Sequence, residues 1–416
     1  MEKEVVEKEA VAKPAEQAVA DKVADEAVPH AAEVLSVPYP GVEPVAAEQQ
    51  LSEQEMQDLL QTPRMLQLRE RYRDPAQQAE IAREFLSWVK EQPAEKSVLL
   101  HAEDGVDYWF AGDIHASFEV LLRAFALVSE RARSRERRAY FVMLGDIIDR
   151  GDEDLPCLAM VEDWLMRGEI DGVRLLCLQG NHDVALRYSR YFYSQVVPAE
   201  LAELLNELCC RTEMYDDVEQ QGKAAIELAG SRPVMAEITD LGAGPQGGSI
   251  LLVHAGVPHT DLQSDANDAI ADFKVLESRP LHESVPAEKW EMWVDDFLWN
   301  RLRPGIPTIS PVRGFAGNLM GTNDVNSYRR LHHKLTGRSI CCMLRGHDHI
   351  PGGWCLYSYH PKYRVDAGEY VQRECTVLGI NTMHAIGNPM LKRAVPMLAH
   401  WQRGAECVQL HCLMPK

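Results

Sequence analysis

Five short blocks hold the residues of this chain best suited to bind a hard cation or move a proton. They are Gly112-Asp113-Ile114-His115, Gly145-Asp146-Ile147-Ile148-Asp149-Arg150-Gly151, Gly180-Asn181-His182-Asp183, His254-Ala255-Gly256 and Arg345-Gly346-His347-Asp348-His349. Each supplies an oxygen or an imidazole nitrogen and none a thiolate. That donor set suits Mn, Fe or Zn in a reactive centre better than a structural zinc. Asp113 and His115, two apart at a strand end, are able to point to one side. Asp146 is placed to bridge two ions, Asn181 offers a neutral carbonyl oxygen, and His254 and His347 offer ring nitrogens. Two ions about 3.5–4 Å apart hold and acidify a water and neutralise a phosphoryl group under attack. The expected cofactors are therefore two divalent metal ions, Mn first, with Fe or Zn as alternatives.

Four of the five blocks follow an apolar run that reads as a buried strand. Val98 to Leu100, Tyr108 to Ala111, Tyr140 to Leu144 and Val173 to Leu178 read as strands, with helices over Phe118 to Val128 and Leu155 to Met166. This β-α-β-α-β start predicts a parallel sheet covered by helices, with ligands gathering past the carboxyl ends of its strands. The stretch from Asp183 to Gly248 reads as mostly helical, Ile250 to Val253 as the strand delivering His254, and Cys341 to Leu344 as the strand delivering Arg345 to His349. Later short strands, Cys375 to Leu378, Met397 to Trp401 and Val408 to Cys412, suggest a second sheet stacked on the first. Residues 259–339 have no clear pattern.

Three segments are predicted. Residues 1–50 are rich in Ala, Val, Glu, Lys and Pro and poor in large apolar side chains, so they read as a disordered acidic tail. Residues 51–95 read as N-terminal helices, the first opened by a Ser52/Glu55 capping box and the second by Asp74-Pro75. Residues 96–416 read as the catalytic domain. The formal net charge of −20 argues against a nucleic-acid partner. No run reaches transmembrane length and no secretory signal opens the chain, so the expectation is a cytoplasmic protein without a membrane partner. Oligomeric state is not legible. The 10 cysteines show neither a disulfide framework nor zinc spacing and read as small buried hydrophobes.

Taken together, the five blocks resemble the metallophosphoesterase superfamily, and Arg150-Gly151 after Asp149 is similar to its phosphoprotein phosphatase branch, the serine/threonine phosphatases. The resemblance covers roughly residues 105–380. It implies an α/β fold of two mixed sheets packed face to face and flanked by helices. It implies Asp113 and His115 on one ion, Asp146 bridging, and Asn181, His254 and His347 on the other, with a metal-bridging hydroxide attacking phosphorus in line. His182 would protonate the leaving oxygen, Asp149 would orient His182, and Arg150 would hold phosphate oxygens. A second phosphate arginine is expected, with Arg313 the candidate and Arg301 and Arg303 its competitors. The substrate implied is a phosphorylated protein. Ala116, Asp183 and Ala255 stand where the family expects Gly, Glu and Gly. His349 resembles a ligand of the wider superfamily and is an added metal candidate.

The same scaffold also suits a phosphotyrosine phosphatase or a dinucleoside polyphosphate hydrolase. A non-catalytic phospho-binding module is the reading of another class. The run of arginines from Arg131 to Arg138 reads as a solvated helix end. Trp290 and Trp293 read as core, and Trp299 as core or cleft lining.

Overall fold

In chain order the elements are β1 (Val42–Pro44), α1 (Glu53–Leu60), α2 (Pro63–Arg73), α3 (Pro75–Val89), β2 (Ser97–His101), β3 (Val106–Ala111), α4 (Phe118–Arg135) and β4 (Arg138–Met143). Next come α5 (Asp154–Arg167), β5 (Glu169–Ile170), β6 (Val173–Cys177), α6 (Asn181–Ala185), α7 (Asp216–Ser231), β7 (Met235–Thr239) and β8 (Gly248–Val253). The rest are α8 (Leu281–Ser284), α9 (Ala287–Trp299), β9 (Arg301–Leu302), β10 (Ser310–Pro311), β11 (Asn318–Met320), α10 (Thr322–Thr336), β12 (Ser339–Arg345), β13 (Trp354–Tyr359), β14 (Cys375–Ile380), β15 (Met397–Gln402) and β16 (Val408–Cys412). This computed structural model describes residues 42–45, 50–185, 216–242, 248–260, 273–276, 278–302, 310–311, 317–348, 352–359, 375–382, 395–405 and 408–414.

The strands form one sheet in the order β1-β16-β15-β3-β4-β6-β5, a second in the order β13-β14-β12-β8-β7-β2, and a small third one, β10-β11-β9. Alternation along each strand assigns the layers. Tyr108, Phe110, Val142 and Leu144 from the first sheet share an apolar cluster with Ile250, Leu252, Leu344 and Leu378 from the second. Their neighbours Trp109, Ala111, Phe141 and Met143 turn the other way, into a cluster with α1 to α5 and α7. Leu251, Val253 and Met343 turn outward against α9 and α10, where Trp290, Trp293 and Phe297 are buried. The result is the expected four-layer arrangement, helices outside and two mixed sheets face to face.

The β3-α4-β4-α5-β6 start is parallel as predicted. Ser52 caps α1 in a reciprocal box, its Oγ accepting from Glu55 N at 3.2 Å while its own N–H donates to Glu55 Oε2 at 2.8 Å. Asp74 Oδ1 accepts from Ala76 N at 2.9 Å to start α3.

Four expectations need correction. Between the two predicted N-terminal helices lies a third, α2, opened by Thr62 and Pro63. Order also begins ahead of Leu51, because β1 pairs in parallel with β16, while residues 1–41 lie outside the described residues. Within the stretch read as helical, residues 235–239 form β7, antiparallel to β8. Finally, of the three late strands only β14 joins the second sheet; β15 pairs with β3 and carries β16 with it into the first. Short strands of similar composition carry no mark of which sheet edge they will extend. The described residues belong to one compact unit.

Candidate metal centre

The blocks converge past the carboxyl ends of β3, β4 and β6 in one sheet and of β8 and β12 in the other. Asp113 lies two residues beyond β3 and is bridged in parallel to Asn381 just past β14. The backbone there is unusual. Among the described residues, nine non-glycines have positive φ; five belong to these blocks, His115, Asp146, Asp149, Arg150 and His347, and Ala116 directly follows the first block. Left-handed backbone at non-glycine residues is costly, so the surroundings must hold it in place. Neighbouring backbone explains one block glycine directly: a Cβ on Gly180 would collide with the Asp146 backbone and carboxylate.

Asp146 is the centre of the cluster. Its Oδ1 accepts from His182 N at 2.9 Å. Its Oδ2 is buried and receives no hydrogen bond, yet faces His254 Nε2 at 3.4 Å, His115 Nε2 at 3.7 Å and His182 Nε2 at 4.0 Å. These gaps are too long for hydrogen bonds; ligands about 2.1 Å from a shared ion stand roughly 3–3.5 Å apart, a range that holds the His254 gap and that the His115 and His182 gaps exceed. His115 Nε2 is likewise 3.7 Å from Asp113 Oδ2. His115, Asp146 and His182 form one group able to hold an ion and Asp146, His254 and His347 a second, with Asp146 common to both.

Each outer imidazole nitrogen is fixed from behind. His115 Nδ1 is 2.9 Å from the Ile148 carbonyl and His254 Nδ1 is 2.8 Å from the Leu144 carbonyl. A carbonyl only accepts, so both protons sit on Nδ1 and both Nε2 lone pairs face the centre. His254 Nε2 then meets Asn181 Oδ1 at 2.7 Å, and His347 Nδ1 meets the same oxygen at 3.0 Å. At His254 the lone pair of Nε2 and the Asn181 oxygen face each other, and two acceptors need a positive charge between them. Burial opposes charge on His254, but Asp146 prevails and lifts it to about 9, so a proton stands where a cation would. Burial, reinforced by Arg150 and His182, pushes His115 down to about 3, leaving it neutral as a metal ligand must be. Burial also takes His347 well below its ordinary range, with Arg301 adding to it. Burial works against the Asp146 carboxylate, but His254 and His182 hold it well below the usual range. The residues present thus fit two divalent cations.

His182 is engaged on both sides. Its Nδ1 lies 2.5 Å from Asp149 Oδ2, and Arg150 Nη2 lies 3.2 Å from its Nε2. Burial raises the Asp149 carboxyl, but the His182 bond more than offsets it and the net shift is downward. Asp149 is itself held by Asp154, whose Oδ1 accepts from Asp149 N at 2.8 Å.

The structure therefore brings together Asp113, His115, Asp146, Asp149, Arg150, Asn181, His182, His254 and His347. Arg313, Arg303 and His349 lie outside the described residues. Arg301 is described, with Nη1 3.8 Å from Asp348 Oδ1 beside His347. Trp299 meets the His347 ring edge-on at 6.4 Å, in accord with cleft lining, while Trp290 and Trp293 are core. The basic run is paired locally, for example Arg133 with Glu130 at 2.6 Å and Arg138 with Glu103 at 2.6 Å.

Several supports escaped the sequence reading. Thr382 Oγ1 accepts from Gly112 N at 2.8 Å, and Arg345 Nη1 donates to Asp348 Oδ2 at 2.6 Å. Asp183 accepts from Asp146 N at 2.9 Å, Ile147 N at 3.0 Å and Gly180 N at 3.0 Å. The places of Asp183 in the third block and of Arg345 in the fifth were signals; a lone Thr382 gave none.

Three likenesses accompany this geometry. A serine/threonine-protein phosphatase 1 from Salmonella typhimurium is 29% identical over 93 residues, 22% of this chain and 37% of that protein, so the match spans little more than a third of its length. A protein serine/threonine phosphatase structure from Saccharomyces cerevisiae aligns over 88% of this chain and 97% of its own at 12% identity and TM-score 0.49. The cold-active protein-tyrosine phosphatase of a psychrophilic Shewanella aligns over 79% and 84% at 12% identity and TM-score 0.36. The sequence model for calcineurin-like phosphoesterases matches residues 107–351, more than half the chain, and it is to this family that the protein belongs.

Proposed function

We propose that the chain is a dimetal phosphomonoester hydrolase acting on phosphoserine or phosphothreonine in proteins. Asp113 and His115 would hold one cation, Asn181, His254 and His347 the other, with Asp146 between them; Mn is the first choice of ion. The two cations would supply charge neutralisation and an acidified water.

The observation that carries the reading is the Asp149–His182–Arg150 chain beside the shared carboxylate. A planar guanidinium is suited to grip two phosphate oxygens at once. At present Arg150 donates to His182 Nε2, so a phosphate that takes up Arg150 leaves Nε2 facing the leaving oxygen. Asp149 fixes the other ring nitrogen, so the Nε2 released by Arg150 is oriented to pass a proton to the leaving oxygen. The block carrying Arg150 is also the one that resembles the serine/threonine phosphatases.

The test is phosphate release by Mn²⁺-loaded protein from phosphoserine, phosphothreonine and phosphotyrosine peptides and from diadenosine tetraphosphate, with Asp146→Asn as control. Turnover of the first two peptides, absent in the control, is expected. Turnover confined to phosphotyrosine or to the dinucleotide would reassign the substrate, and silence throughout would leave a phospho-binding module.

A further inference from the structure

Arg232 is buried, 4% exposed, in the link between α7 and β7. It makes contacts in three directions. Its Nε donates to Leu228 O at 3.0 Å, at the last turn of α7. Its Nη1 donates to Leu178 O at 3.0 Å and lies 3.1 Å from Cys177 Sγ, both at the exit of β6. Its Nη2 is 3.1 Å from Asp183 Oδ2. The backbone reinforces the link, since Gln179 N donates to Pro233 O at 2.9 Å and the Gln179 amide donates to the Arg232 carbonyl.

Asp183 connects this arginine to the metal loops. It is 2% exposed and receives the N–H groups of Asp146, Ile147 and Gly180. Asp146 has φ 51°, a conformation its own side chain disfavours, and two of those three N–H groups belong to it and the next residue. The carboxylate therefore pins the strained turn carrying the shared ligand to the turn carrying Asn181. A buried carboxylate is costly without an opposite charge, and Arg232 supplies one while also fixing the strand exit behind Asn181. No single-point cation would reach all three partners, because only the guanidinium fork offers donors in three directions.

We propose that Arg232 is a positioning residue of the metal centre: through Asp183 and the β6 exit it sets the separation of Asp146 and Asn181, and with it cation affinity and turnover. The proposal rests on the dimetal reading of the site. It predicts that loosening Arg232 weakens cation binding more than phosphate recognition, since its guanidinium acts on the turns that carry Asp146 and Asn181.

The test uses the full chain and the variants Arg232→Met, Arg232→Lys, Asp183→Asn and the Arg232→Met/Asp183→Asn pair. Mn²⁺ affinity is read by calorimetry, kcat and KM on p-nitrophenyl phosphate, and folding by thermal melts. Arg232→Met should weaken Mn²⁺ binding and lower kcat, each by about 10–100-fold, with KM nearly unchanged. Arg232→Lys should recover part of both. Added to Asp183→Asn, Arg232→Met should cost little more, because both act through one path. Wild-type affinity and kcat in Arg232→Met, or losses that multiply in the pair, would overturn the proposal. Should Arg232→Met fail to fold, weakened Mn²⁺ binding in Arg232→Lys and Asp183→Asn supports it and unchanged binding in both overturns it. The Mn²⁺ titration decides this even if the substrate assignment fails; a wild type that binds no divalent cation would overturn both.

Discussion

Behind the second sheet, Glu237 lies between Arg338 Nη2 at 2.7 Å and His332 Nε2 at 3.2 Å. At the strand ends, Asp146 Oδ2 faces three imidazole nitrogens at 3.4–4.0 Å. Both clusters set a buried carboxylate among buried histidines, with an arginine that is buried in the first (Arg338) and exposed in the second (Arg150). In the first, the partners close to hydrogen-bonding distance and sit on regular β7, on α10 and on the residue just before β12. In the second, they stop short, and Asp146 and His115 ride on left-handed turns. Residue type thus fails to separate a structural ion-pair network from a reactive site. The gap between the partners and the strain of the backbone that holds them do separate the two.

Exchanging one residue in each cluster should break the comparison most sharply at Asp146. Asp146→Asn is expected to cost about 10²–10³-fold or more in kcat and to lose bound metal, measured by turnover and metal content together. His182→Asn should lower kcat by about 10²–10⁴-fold while metal content stays at the wild-type level, because His182 is committed to Asp149 and Arg150. Loss of metal in that variant would make His182 a ligand.

Glu237 should behave differently. Burial acts to raise it, but His332 and Arg338 bring it down from 4.5 to about 2. A carboxyl whose folded value lies below its unfolded one stabilises fully above the unfolded value, and the gain fades as pH falls toward the folded one. Glu237→Gln should therefore cost about 3 kcal/mol at pH 7 and flatten the loss of stability between pH 4.5 and 2, with turnover and metal content kept. Chemical denaturation across that range checks it; a fall in kcat at unchanged fold would join the two clusters. The smallest effect is expected at Ala116, held at φ 52° where glycine is at ease. Ala116→Gly should gain about 0.5 kcal/mol, read as a small rise in Tm.

The site was legible in the sequence because its chemistry is local. Gly180 next to Asn181 and His182, or Gly145 before Asp146, encode a tight turn and a ligand within a few residues. The parallel start was legible because its strands are apolar, evenly spaced and separated by amphipathic helices. What failed was non-local. Met-Ala-Glu-Ile-Thr at residues 235–239 is a helix former by composition, and only pairing with β2 and β8 makes it a strand. The entry of β15 beside β3 rather than into the second sheet is likewise decided by distant partners. Arg232 and Thr382 hold metal loops far from them in sequence, and neither stands in a pattern.

The central claim is that Asp146 is shared between two cations, and the number of Mn²⁺ ions bound per chain tests it most directly. Two overlapping ligand groups with Asp146 in common predict two ions in the wild type and disruption of both sites in Asp146→Asn. A wild type that takes up no ion, or an Asp146→Asn variant that binds two with unchanged affinity, would contradict it.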